Sequence, residues 1–207
     1  MPGKLITFEG CEGSGKSTQS NNLYNYLKRR GLPVIHIREP GGTKIGEQIR
    51  QILLNPQNKT MTPLCETLLY MAARRELVES AIEPALKQHK IVICDRFLDS
   101  TRVYQGYGLG VAMKLIEDVG RLATKGIEPD LTVFLGLPVE IGFKRVGSVK
   151  DRIEQRSKAY HRRVRKGYLN LAKRFPSRIK IIKVDNDKNK TQEKIRKLVE
   201  GLCLSGR

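Results

Sequence analysis

An α/β fold with a five-stranded parallel sheet and helices on both faces is predicted by two patterns in the sequence and by its length. Short apolar runs rich in β-branched residues alternate with stretches of helical period from end to end, which is the signature of successive βα units. The apolar runs are continuous and do not alternate with polar residues, as strands covered on both faces read. At 207 residues the chain suits a single domain spanning 1–207, with room for a short lid.

The elements follow in order. The first strand is 5–8, followed by a glycine-rich turn and a helix carrying Leu23 and Leu27. Gly31-Leu32-Pro33 stops that helix, and 34–37 is the second strand. Ile45, Ile49, Ile52 and Leu53 recur at helical spacing, and Thr62-Pro63 opens a further helix with proline at its first position. Strands are expected at 91–94, 131–135 and 179–184. Between the last two, Tyr160, Val164, Tyr168, Leu171 and Phe175 keep one stripe over four turns, and Ile195, Leu198, Val199 and Leu202 close the chain.

Composition excludes several classes. Apolar residues at 39% with 29% charged describe a folded globular chain. No run approaches the roughly 18 apolar residues of a membrane span, and the N-terminus lacks the apolar core of a signal peptide, so a cytoplasmic protein is expected. Cys11, Cys65, Cys94 and Cys203 are scattered singly, as are His36, His89 and His161, which argues against a zinc ribbon, a redox pair or a protein-built transition-metal centre. The formal net charge is +18, and most of it lies in 144–183, where 15 Lys and Arg face only Asp151 and Glu154. Such a segment calls for an anionic partner, either nucleic acid or the phosphates of a small substrate.

Directly after the first strand, Gly10-Cys11-Glu12-Gly13-Ser14-Gly15-Lys16-Ser17-Thr18 fits the P-loop pattern GxxxxGK(S/T), with a strand before it and a helix after it. The glycines let backbone N–H groups turn onto ATP phosphates at a helix N-terminus. Lys16 reaches the β and γ phosphates, and the Ser17 hydroxyl joins the shell of Mg²⁺. Asp95, ending the strand 91–94, is placed at the ligand edge of the sheet, where it can serve the same Mg²⁺. The reading is therefore a P-loop NTPase fold that transfers phosphoryl groups from ATP.

The acceptor is narrowed by arginines. Two polyanions meeting in line need fixed cations between them, and guanidinium forks at Arg38, Arg50, Arg74 and Arg96 fall where strands end or helices begin. A phosphate acceptor needs no dedicated general base, because it is mostly dianionic at neutral pH.

Six segments make the comparison specific: Phe8-Glu9-Gly10 into the P-loop, Arg38-Glu39-Pro40-Gly41-Gly42-Thr43, Leu68-Leu69-Tyr70-Met71-Ala72-Ala73-Arg74, Asp95-Arg96-Phe97-Leu98-Asp99-Ser100-Thr101 with Tyr104-Gln105-Gly106, Pro129-Asp130-Leu131-Thr132, and Asp151-Arg152-Ile153-Glu154. In this order the chain resembles the thymidylate kinases of bacterial type, in the nucleoside monophosphate kinase group. The resemblance implies ATP- and Mg²⁺-dependent phosphorylation of dTMP to dTDP by a homodimer. It implies that Tyr70 stacks on thymine, that Arg74 reads its O4, that Thr101 and Gln105 line the base, and that Tyr104 crowds C2′. It places Glu12 near the 3′-hydroxyl, Arg38, Arg50 and Arg96 on the acceptor phosphate, and Glu39 and Asp95 in the magnesium environment.

Residues 144–152 would form a lid over ATP. Family members whose P-loop lacks an arginine carry the catalytic cations in the lid; this P-loop has none, so the resemblance implies cations there, with Lys144, Arg145, Lys150 and Arg152 as candidates. The stretch is shorter than the usual bacterial lid and lacks its arginine pair, and Gly136 stands where an Asp is common. Other monophosphate kinases carry a Pro and Gly pattern in the loop that is missing here, and no guanine-reading NKxD occurs. Tyr160 and Tyr168 lie among basic residues, an arrangement that nucleic-acid surfaces use, but they share the stripe with Val164 and Leu171 and read as core. Small-molecule phosphates are the expected partner, with no membrane and no nucleic acid.

Overall fold

The computed structural model describes residues 2–147 and 151–203, so Lys150 lies outside the described residues. The strands are β1 Lys4–Glu9, β2 Val34–Arg38, β3 Ile91–Asp95, β4 Leu131–Gly136 and β5 Ile179–Lys183. The helices are α1 Lys16–Arg29, α2 Lys44–Leu54, α3 Pro63–Leu77, α4 Glu83–Lys87, α5 Leu98–Thr101, α6 Met113–Thr124, α7 Val139–Arg145, α8 Lys158–Arg174 and α9 Lys188–Cys203. Two π-helical stretches, Val78–Ile82 and Arg102–Gly108, continue α3 and α5.

All five strands are parallel and lie in the order β2-β3-β1-β4-β5. Phe8 and Arg38 both sit level with Asp95 in the register. Three strands therefore deliver their carboxyl ends to one edge, and ligands of open α/β sheets bind outside that edge.

Alternate residues of the central strands pack on opposite faces. Ile6, Phe8 and Ile93 meet Leu23 and Leu27 of α1 and Ile195 and Val199 of α9. On the other face Leu5, Val92 and Cys94 meet Met71 and Leu77 of α3 and Ile116 and Ala123 of α6. A third cluster joins the stripe of α8, Tyr160, Val164, Tyr168 and Leu171, to Phe134 and Tyr104. Those tyrosines are core residues, as their spacing predicts.

Two expectations change. The strand pattern predicts burial on both faces throughout, which holds for β1 and β3, but β2 and β5 are the sheet's edges and are only partly covered. Ile181 of β5 is exposed. The spacing of Thr101 and Gln105 predicts one α-helix, whereas Gln105 lies in the π-helical stretch that follows α5.

Beneath the sheet's edge, the Asp99 carboxylate accepts hydrogen bonds from Arg102 Nη1 at 2.8 Å, Arg178 Nη1 at 2.6 Å and Thr132 Oγ1 at 3.1 Å. Thr132 in turn bonds Thr7 at 2.9 Å, so this carboxylate ties α5, β4 and β1 together. Asp99→Ala leaves two guanidinium groups without their buried partner. Its unfolding free energy in urea should fall by about 3–5 kcal/mol; a fall of less than about 1 kcal/mol would mean the network is not holding these elements.

Candidate active site

The P-loop runs between the end of β1 and the start of α1. Gly13 has φ +68, and a Cβ there would lie 2.2 Å from the Gly142 carbonyl oxygen. Conversely, a Cβ on Gly142 would lie 2.3 Å from the Glu12 carbonyl oxygen. The loop is thus braced backbone to backbone by α7, which only glycine at both positions permits. Helix α1 starts with no side chain capping its first turn, which leaves its leading N–H groups to a phosphate.

Lys16 is buried, and its ammonium donates to the Cys11 carbonyl at 3.0 Å. Burial and the nearby Arg96 lower its pKa, while Glu12 and Asp95 pull in the opposite direction. Ser17 Oγ donates to Asp95 Oδ2 at 2.5 Å. The other carboxylate oxygen, Oδ1, is buried without a hydrogen-bond partner.

Beyond the loop opens a cleft of about 300 Å³. Its walls bring together Glu12, Lys16, Ser17, Arg38, Glu39, Arg50, Tyr70, Asp95, Arg96, Thr101, Tyr104 and Gln105. Twelve positions spread from 12 to 105 in the sequence thus face one space.

Arg96 is the pivot. It takes φ +73, a left-handed conformation rare for a side-chain-bearing residue and costing of order 1–3 kcal/mol. Glu9 holds the turn in place: its buried carboxylate accepts from the Phe97 N–H at 2.8 Å and from the hydroxyls of Ser100 and Tyr168, each at 2.6 Å. Burial, helped by Asp99, raises the Glu9 carboxyl above its ordinary range. The Arg96 fork then donates through Nη2 to both oxygens of Glu12, at 2.9 and 3.1 Å, and through Nη1 to the Gly10 carbonyl at 3.2 Å. Its guanidinium lies over the Tyr104 ring, 4.9 Å from the centroid, and the Tyr104 hydroxyl donates to Glu12 at 2.7 Å. Burial alone would raise the Glu12 carboxyl, but Arg96 and Lys16 outweigh it and hold the pKa down to about 2.

Around this centre Arg50 donates to the Pro40 carbonyl at 2.9 Å, and the more exposed Arg38 pairs with Glu47 at 3.2 Å. Glu39 follows β2 through a cis bond to Pro40. It pairs with Arg74 at 2.7 Å, yet burial wins over that attraction and raises its carboxyl to about 7. Glu39 Oε1 is buried and unpartnered.

Some expected residues sit differently. Arg74 does not line the cleft; it lies beneath it, 1% exposed, donating to Glu39, to Thr101 Oγ1 at 3.0 Å and to the Phe97 carbonyl at 3.1 Å. Arg152, expected among the lid cations, is buried as well: Nε donates to the Leu53 carbonyl at 2.7 Å and Nη1 pairs with Glu66 at 2.7 Å. Its charge is compensated by Glu66 and not presented to the cleft. Lys144 and Arg145 are exposed at the end of α7 and do not line the cleft either. Glu9, Glu66 and Ser100 were not singled out from sequence. Glu9 and Ser100 fall inside the segments that carry the resemblance, and Glu66 forms an i, i+4, i+8 row with Tyr70 and Arg74 on α3.

A glycine loop at the carboxyl edge of an all-parallel sheet, opening onto an arginine-bearing second cleft, puts the molecule among the P-loop proteins that move phosphoryl groups. Residues 8–195 match the family model described as thymidylate kinase. The chain is 45% identical over 197 residues to the thymidylate kinase of Symbiobacterium thermophilum, covering 95% of this chain and 92% of the relative. It is 49% identical over 185 residues to that of Pelotomaculum thermopropionicum, covering 88% and 86%. The crystal structure of thymidylate kinase from Ehrlichia chaffeensis superposes with a TM-score of 0.79 at 35% identity, covering 96% of this chain and 99% of that one. The chain belongs to the thymidylate kinase family, and its fold is the P-loop NTPase fold.

The pairing of Glu12 with Arg96 carries a pH signature. The folded-state pKa of Glu12 is depressed, so its contribution is fully present above the unfolded value near 4.5 and is lost as pH falls through about 2. In urea unfolding, wild type should exceed Glu12→Gln by about 3 kcal/mol at pH 7, and the gap should narrow steadily below pH 4.5. A gap that is constant from pH 7 to pH 3 would show that the charge of Glu12 is not what stabilises the site.

Proposed function

We propose that dTMP occupies the cleft with its phosphate toward Arg96, and that ATP lies along the loop 10–18 with its γ-phosphoryl group facing it. The reaction is that of the family: dTMP is phosphorylated to dTDP with ATP as donor. One observation carries the assignment of roles. Glu12 belongs to the P-loop, yet its carboxylate is held by Arg96 and Tyr104 of the cleft, so donor and acceptor sites share one hydrogen-bonded centre.

Lys16 follows the β and γ phosphates of ATP, while Arg96, Arg50 and Arg38 screen the approach of the acceptor phosphate. No base is needed, because that phosphate attacks as a dianion. Tyr70 offers its ring to the thymine, and Thr101 and Gln105 line the base. Arg74, held from below by Glu39, acts on the base site through Thr101. Tyr104, fixed on Glu12, occupies the space a 2′-hydroxyl would need.

Mg²⁺ fits the residues present. It binds through one or two carboxylates, with phosphates and water completing the shell, and Asp95 Oδ1 is a buried carboxylate oxygen without a partner beside Ser17. Ser17 and Asp95 would hold the ion, with Glu39 adjacent through its N–H bond to the Asp95 carbonyl at 2.9 Å. When bound there it would supply electrostatic stabilisation of the charge that develops on the transferring phosphoryl group. We assign 144–152 as the lid and Lys144 and Arg145 as its described candidate cations, in a single domain spanning 1–207. Four free thiols, three of them buried, suit the reducing cytoplasm.

The homodimer finds support in the outer face of α3 and α6. Leu64, Leu68 and Leu122 are exposed there, Leu122 to 73%, and a shallow apolar groove runs between Met71, Ala72 and Val119. Monomeric proteins seldom leave such a patch to water.

Two experiments test these roles. In a coupled assay of ADP release, dTMP should give the highest kcat/KM among dTMP, UMP, CMP and AMP, and Lys16→Ala should lower kcat by about 10²–10³-fold. Equal turnover of another monophosphate would refute the thymidine assignment. In light scattering, wild type should have twice the mass of Leu122→Glu; equal masses would remove the α3 and α6 face as the dimer contact.

A further inference from the structure

We propose that Glu66 is a positioning residue that fixes the spacing between two walls of the acceptor cleft; the proposal rests on the reading that this cleft takes dTMP. Glu66 lies in the first turn of α3 and is completely buried. It does not line the cleft. Its Oε1 accepts from Gln105 Nε2 at 2.8 Å, and its Oε2 accepts from Arg156 Nη2 at 2.5 Å and pairs with Arg152 Nη1 at 2.7 Å.

These three partners belong to different walls. Gln105 comes from the π-helical stretch on one side. Arg152 and Arg156 flank Ile153 and Glu154, which together with Asp151 form another side. Arg152 binds the same turn to the end of α2, through its own N–H on the Leu54 carbonyl at 3.0 Å and its Nε on Leu53. Tyr70, one helical turn after Glu66, faces the space between.

The chemistry of the group sets what it does. A carboxylate only accepts, so the Gln105 amide must turn its NH₂ toward Glu66, and its orientation at the base site is fixed from behind. Two guanidinium groups converge on one oxygen. Arg152 Nη2 and Arg156 Nη1 are buried and make no hydrogen bond of their own, so both guanidinium groups rest on Glu66 Oε2 as their shared buried carboxylate. A neutral amide of the same size can still meet Gln105, yet it cannot hold both cations.

Glu66→Gln separates positioning from simple packing. The KM for dTMP should rise about 10–100-fold, as a displaced wall costs, while the KM for ATP stays within about twofold. Hydrogen exchange of the amides in 151–157 should accelerate, with β1 and β3 still protected. Arg156→Gln, which removes one fork and leaves Arg152 paired, should shift the same two quantities in the same direction by less, and it carries the contrast should Glu66→Gln fail to fold. An unchanged KM for dTMP overturns the proposal. So does a parallel rise of both KM values with exchange spreading into the strands, which would make Glu66 a core charge and nothing more. The exchange measurement needs no nucleotide, and wild-type turnover of dTMP scores the substrate reading separately, so the two failures are distinct.

Discussion

Arginine is held at this cleft by buried glutamate. Arg96 lies on Glu12, Arg74 on Glu39, and Arg152 and Arg156 on Glu66. A guanidinium carried out of water without a partner costs several kcal/mol. Each of these four arginines therefore has a carboxylate partner before any phosphate arrives, whereas Arg50 rests on the Pro40 carbonyl and Arg38 on the more exposed Glu47. That compensation fixes the forks in position, which is the condition for electrostatic stabilisation without reorganisation at the moment of reaction. Desolvation makes the arrangement a poor source of net stability, and its use is geometric.

The same logic explains the left-handed Arg96. An arginine at the end of β3 in ordinary extended conformation would stand off one face of the sheet, as strand side chains do. The turn at φ +73 is retained because Glu9 captures the next N–H and two hydroxyls around it. One of those hydroxyls belongs to Tyr168 of α8, whose ring stacks on Phe134 of β4 at 4.8 Å. Packing of the third core cluster thus reaches the site through two phenols, Tyr168 on Glu9 and Tyr104 on Glu12.

What could be read from sequence was whatever is local. The loop 10–18, the strand before it and Asp95 at the end of its own strand are contiguous patterns, and they appear where they were expected. The stripe of α8 was legible for the same reason, since one helix carries the whole period. The edge strands were not separable from the central ones, because strand order is decided by which crossovers the chain takes. Arg74 and Arg152 show a deeper limit. An arginine facing phosphate and an arginine resting on a buried carboxylate are the same letter, and the deciding partners, Glu39 and Glu66, lie 35 and 86 residues away. Glu66 itself joins segments that meet only after the sheet has formed. The π-helical stretch 102–108 escaped notice because a widened turn leaves no fixed spacing to count.

The large positive charge does not sit where a phosphate-transfer site would seem to want it. The cleft is lined by Lys16, Arg38, Arg50 and Arg96, against Glu12, Glu39, Asp95, Asp151 and Glu154. Its walls are close to neutral. A large share of the excess lies instead on α8, which carries seven Lys and Arg and no acidic residue and spends several of its cations locally, Arg162 on Glu140, Arg163 on the Gly108 carbonyl and Arg165 on that of Leu137. Neutral walls have a consequence for turnover. A strongly cationic cleft would bind dTDP and ADP as firmly as the substrates, and product release limits many enzymes of this kind. With acids interleaved among the forks, the walls themselves hold little surplus positive charge. Substrates and products carry the same total charge across the cleft, so neutral walls weaken the electrostatic hold on both pairs alike and leave discrimination of the transition state to the position of each fork.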